Sequence, residues 1–293
     1  AEGVVQGAPE IEKPFAQAGV FLQSSSRQSV RPSSSSSTKS LQLFSPPVHA
    51  GCVAQSSSLQ LDAARMAAFA LIELERCSEA IELLETQGRI AAAEQASFAA
   101  PLELGLALAR AYSSAGDYDV AMQYLARFEE RLLAEQALSS TSLLGSIDRD
   151  LARVYDLMAQ VAIDRGDFEQ SELYHRKAHG LIPSEASYQN NLAWSIVIGA
   201  GLGDPRLEEA LRLAESAVEL SPIPAYLDTL AEVELRLERY DDALAHLDEA
   251  IEQEPDSDYL VQQRTRVEAA RDGRSVSGLL SVEPWSPPRH TQF

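Results

Sequence analysis

From about Leu59 to Arg271 apolar residues recur at three- and four-residue spacing, as in Leu102, Leu104, Leu106, Leu108, Ala109 and Tyr112. That period lines one side of a helix with apolar side chains and predicts α-structure almost throughout this stretch. Breaks fall at Gly116-Asp117, Gly166-Asp167, Gly201 to Pro205, Pro222 to Pro224 and Pro255. Glycine frees the backbone to turn and proline lacks the amide a helix needs, so these breaks cut the body into short helices arranged in pairs. Residues 1–59 follow another pattern, with Ser24–Ser26, Ser33–Ser37, Ser56–Ser58 and Pro46-Pro47. Serine-rich sequence with few large apolar groups cannot offset the entropy of ordering, so it reads as an extended or disordered arm. Its apolar clusters, Val4-Val5, Val20-Phe21-Leu22 and Leu41 to Phe44, could anchor on a partner. Residues 273–293 form a proline-containing tail around Trp285.

The body is internally repetitive. Gly116-Asp-Tyr-Asp-Val-Ala121, Gly166-Asp-Phe-Glu-Gln-Ser171 and Arg239-Tyr-Asp-Asp-Ala243 each run turn, aromatic, then a small residue. An aspartate at such a turn can cap the following helix by accepting from its free amides. Ala210 and Ala243 are 33 residues apart, as are Pro222 and Pro255. In this frame the first helix of each unit carries Ala68, Ala109, Ala159, Ala193 or Ala231, and the second carries Ala80, Ala121, Ser171, Ala210 or Ala243. Two helices cross closely only where side chains are small.

This pattern resembles the tetratricopeptide repeat, a pair of antiparallel helices of about 34 residues with small residues at the crossing. The resemblance implies an all-α fold over residues 60–272: a right-handed α-solenoid of about five helix pairs, centred on 61–95, 102–137, 152–183, 187–222 and 224–255. A last helix, roughly Asp256 to Arg271, would cap it. Spacings of 41, 50 and 39 residues between the earlier units imply insertions, one of them the glycine-rich Gly199 to Asp204.

Charge narrows the partners. The chain carries a formal −20, with the arm at +1 and the remainder at −21. So acidic a body repels phosphate backbones and anionic membrane surfaces, which argues against nucleic acid. No apolar run approaches the length of about 20 residues that spans a bilayer. Cys52 and Cys77 are too few for a disulfide framework or a typical zinc site. The Ala-Glu start fits either removal of an export signal or a trimmed chain, and is read as pointing to a processed, exported bacterial protein, with a cytoplasmic one as the alternative.

Candidate chemistry is thin. Gly199, Gly201 and Gly203 lack the spacing of a phosphate-binding loop. Glu172 and His175 form a Glu-x-x-His pair, with His179 a turn later, but no second pair completes a di-iron set. Hydrolase signatures are absent. No catalytic residue, metal ligand or cofactor is therefore expected; a peptide-sensing regulator stands as the alternative, and a metal-dependent enzyme in the helical body as a lesser one.

In the family that the repeats resemble, the first helix of each pair lines a groove for partner proteins. By register the groove residues are Arg65, Phe69, Leu106 and Arg110, then Arg153, Asp156 and Gln160, then Asn190, Trp194 and Ile198, and finally Asp228, Glu232 and Arg236. Trp194 is the leading anchor, since interface energy concentrates in Trp, Tyr and Arg. Phe21, Phe44 and Trp285 are the tail anchors. Capture of chaperone carboxylate tails by groove lysines is disfavoured, because the body's one lysine, Lys177, lies on a second helix. The expected role is a non-catalytic scaffold or structural subunit binding other proteins, further copies of itself among them.

Overall fold

A computed structural model describes residues 50–93, 99–138, 141–201 and 203–273. In chain order the helices are α1 (Ala50–Glu73), α2 (Cys77–Ala93), α3 (Ala99–Ser114), α4 (Tyr118–Leu138), α5 (Thr141–Arg165) and α6 (Phe168–Leu181). They continue as α7 (Ala186–Gly199), α8 (Leu207–Leu220), α9 (Pro224–Arg236), α10 (Tyr240–Gln253) and α11 (Asp258–Arg271). No strand occurs among the described residues.

The chain divides into two compact units inside α3, Ala1–Ala111 and Tyr112–Phe293. In the first, α1 packs on α2; in the second, α5, α7 and α9 pack on α6, α8 and α10 respectively, and α11 packs on α10. These contacts match four of the five expected pairs and the final helix. α1 nevertheless begins at Ala50, inside the segment assigned to the arm by composition. Once a helix has a packed nucleus each added residue gains a hydrogen bond, so Ser56–Ser58 are carried along as part of it. The long spacing between the second and third units is absorbed by lengthening α4 and α5, not by a loop.

All ten small residues of the two crossing positions are buried, none more than 1% exposed. Apolar residues close around them. Leu192, Ile196, Leu207, Leu211 and Leu230 join Ala193 and Ala210, and Leu227, Leu235, Leu247 and Leu260 join Ala231 and Ala243. Overfilling such a contact forces side chains off rotamer, so Ala231→Leu is expected to cost about 1–3 kcal/mol by urea denaturation.

Four of the turns between paired helices share one backbone solution. Asp117 donates to Tyr112 and Gly116 to Ser113 at 2.9 Å each, a pattern repeated by Arg76 and Glu75, by Asp167 and Gly166, and by Arg239 and Glu238. It satisfies the last helical carbonyls with one residue in the left-handed region. Gly116 and Gly166 adopt that region freely, whereas Glu75 (φ 59) and Glu238 (φ 61) do so as L residues. Asp167 then caps α6 by accepting from Gln170 N at 3.2 Å, as expected. At the turn before α10 the N-cap is Arg239, and no side chain caps that helix.

Candidate partner-binding face

The register residues of the second unit fall into two sets. Arg153, Gln160 and Trp194 are half-exposed, while Asn190, Asp228 and Glu232 are buried and Arg236 nearly so. The expected exposure of the last four is thus corrected: they are enclosed, and packing of α10 against α11 brings α11 side chains onto α9. Glu232 accepts from Arg236 Nε at 2.9 Å and from Arg266 of α11. Arg236 also donates to the Ala200 carbonyl at 3.2 Å, tying α9 to the segment between α7 and α8. Asp228 accepts from the Tyr259 hydroxyl at 3.0 Å. Burial pushes its carboxyl up to about 7, Glu232 adds to the shift, and Tyr259 and Arg266 oppose it. Loss of hydration outweighs these partners because a carboxylate in a dry site is costly.

Arg153 lies 3.7 Å from Asp150 on its own helix, and Gln160 donates to Asp164 at 3.2 Å. In the first unit Arg65 pairs with Asp62 at 3.2 Å and with Glu103 at 3.0 Å, and Phe69 and Arg110 are half-buried. Phe21, Phe44 and Trp285 lie outside the described residues. Lys177 Nζ lies 4.6 Å from the centroid of the Tyr155 ring and 3.3 Å from Glu129, held on α6 by charge and by the aromatic face.

A buried polar network was not legible in the sequence. Ser195 Oγ of α7 lies 2.5 Å from His175 Nδ1 and 2.8 Å from Ser171 Oγ, both on α6. His175 Nε2 is 3.4 Å from Asp156 of α5, which accepts from Asn191 Nδ2 of α7 at 2.8 Å. The trio Ser195, His175 and Asp156 has the residue types of a hydrolytic triad, but Ser195 has no accessible surface and already meets two partners. A nucleophile sealed in this way cannot approach a carbonyl, so the network joins three helices instead. Glu172, flagged beside His175, is occupied too: Arg176 lies 2.8 Å from it and Arg206 2.6 Å. Arg206 also holds Asp204, which ties the end of the glycine-rich insertion to α6. Among the described residues no group of three or more His, Cys, Asp or Glu is placed to hold a metal ion. No described helix is long and apolar enough to cross a membrane.

The sequence profile of the tetratricopeptide repeat matches residues 224–267, which span α9, α10 and most of α11. The same small residues are buried in the other helix pairs, so the described helices share the paired-helix architecture of that repeat. Among solved structures the chain is similar to a thermophilic TPR protein of Thermus thermophilus, at 21% identity over 72% of this chain and 98% of that one, with a TM-score of 0.47. It is also similar to MamA from Desulfovibrio magneticus, at 16% identity over 68% and 97% with a TM-score of 0.43. A third likeness is to YrrB, described as a TPR protein with an unusual peptide-binding site, at 14% identity over 72% and 99% with a TM-score of 0.42. Comparison with curated proteins gives no match.

Proposed function

We propose that the chain is a non-catalytic scaffold, or a structural subunit of a larger assembly, that binds partner proteins through the first helices of its repeats. The observation that carries this reading is the division of the α5, α7 and α9 faces. Their charged groups are largely spent on internal pairs, while Trp194 is left half-exposed between the enclosed Ala193 and Ser195. An amphipathic ring on a rigid helix loses little entropy on contact and offers a large area, which suits an interface anchor. Arg153 and Gln160 are proposed to border the contact, with Asn190, Asp228, Glu232 and Arg236 holding its shape from beneath. Arg65, Phe69 and Arg110 are proposed as a separate contact on the first unit. The arm over residues 1–59 and the tail over 273–293, through Phe21, Phe44 and Trp285, are proposed to add reach to the body over residues 60–272.

Trp194→Ala is expected to weaken partner capture by tenfold or more while leaving the helical circular dichroism unchanged, because a central Trp contributes about 2 kcal/mol or more at an interface. Affinity capture on wild-type and variant chains side by side reads this. Equal recovery of the same partner by both would remove Trp194 from the interface.

A further inference from the structure

α11 is the last of the described helices, and its hold on the rest of the fold is slight. Of its 14 residues only Leu260 and Val267 are buried, against nine of the 13 in α9. Both join the apolar cluster of α9 and α10. Towards α9 the helix sends two polar side chains: Tyr259, which donates to Asp228 at 3.0 Å, and Arg266, which donates to Glu232. A helix held by so few enclosed side chains, at the end of an array whose units contact only their neighbours, opens at a smaller cost than the whole fold.

The contact at Asp228 makes that opening respond to protons. Its carboxyl is 4% exposed, and Glu232 lies one turn further along the same helix. The guanidinium facing both acids, Arg266, is bonded to Glu232. Asp228 is left with the Tyr259 phenol, a neutral donor that serves a protonated carboxyl as well as a charged one. The titratable and charged groups acting on Asp228 are Glu232 on its own helix and Tyr259 and Arg266 on α11; α7, α8 and α10, which also pack on α9, add none to that set. Closed, the contact therefore favours a protonated Asp228. When α11 lifts away and takes Tyr259 with it, water reaches the carboxyl and its ordinary acidity returns. We infer that α11 is a latch worked by protons: it stays closed over α9 while Asp228 is protonated, and it opens by itself, with α9 and α10 still paired, once Asp228 ionises. A group that holds its proton more tightly when closed gives closure that is complete below about pH 4 and lost as pH rises through about 7. Each opening turns Asp228 and Glu232 to solvent, so the last pair shows carboxylates near neutral pH that it conceals in acid. The latch does not depend on the reading of Trp194 as a partner anchor.

Hydrogen exchange of the full chain, followed by mass spectrometry from about pH 5.5 to 8, reads the opening. At every pH the α11 amides are expected to be less protected than those of α9 and α10, which marks the opening as local. After correction for intrinsic exchange, α11 protection is expected to fall about tenfold or more between pH 5.5 and 7 and then to level off. Asp228→Asn, which keeps an acceptor for Tyr259 and never ionises, is expected to hold α11 protection level across the range. The parent profile tests the latch without any variant. The inference is overturned if α11 exchanges only together with α9 and α10, or if its protection is flat in the parent. It is equally overturned if protection rises with pH, which would show Arg266 turning to an ionised Asp228, or if Asp228→Asn keeps the parent's slope.

Discussion

Glu232→Ala is expected to destabilise the α9–α11 region by about 3–5 kcal/mol, the cost of leaving buried charge without its counter-ion. Glu232 is 5% exposed and lies between Arg236 and Arg266, whose side chains are 10% and 13% exposed. Its removal strands both guanidiniums where water cannot replace the carboxylate. The Nε of Arg266 already has no hydrogen-bond partner, and the other carboxyl facing that side chain, Asp228, is one whose charged form burial disfavours. Arg236 keeps only its bond to the Ala200 carbonyl. Urea denaturation followed by circular dichroism measures the loss, and Glu232→Gln, which keeps acceptor and shape, should lose less. A change within about 0.5 kcal/mol for Glu232→Ala, the range of an ordinary surface substitution, would mean that the cluster is solvated.

The second large effect is a dependence on pH opposite to that of most carboxylates. Asp228 is raised to about 7, above the value near 3.9 of an unfolded aspartate. Between those limits the folded chain holds a proton that the unfolded chain has released. Stability from this group is therefore complete below about pH 4 and falls as pH rises through 7, at up to about 1.4 kcal/mol per unit. The groups facing it are Tyr259 and Arg266 from α11 and Glu232 from its own helix, and they do not reverse this sign. Asp228→Asn keeps an acceptor for the Tyr259 hydroxyl and never ionises. The variant is expected to match the parent near pH 4 and exceed it by a few kcal/mol at pH 8, the upper limit being about 4 kcal/mol. Thermal denaturation across this range tests the sign, and a parent that gains on the variant as pH rises would show the carboxylate to be well paired when charged.

The repeat itself was legible because it depends on local size and period. A small residue at a crossing point is required by the geometry of the pair, whatever surrounds it, so the register could be read from Ala210 and Ala243 and extended back to Ala68. The same logic assigned the final helix and the turn at Asp167. It was less informative about the groove. Period alone puts Asp228 and Glu232 on the first-helix face together with Trp194, and charge at such a position ordinarily means contact with solvent. The partners that enclose them, Tyr259 and Arg266, lie 31 and 34 residues further on. Nothing in the local sequence of α9 announces them.

The chain's own order of residues therefore determined the helices, their pairing and the places where backbones nest, since these follow from side-chain size and spacing within each unit. Tertiary structure alone decided which polar groups of the first helices remain available and which are sealed, including the Ser195, His175 and Asp156 network across α5, α6 and α7. The reason is that burial of a polar side chain depends on which distant side chain arrives to bond it, and hydrogen-bond partners carry no sequence period.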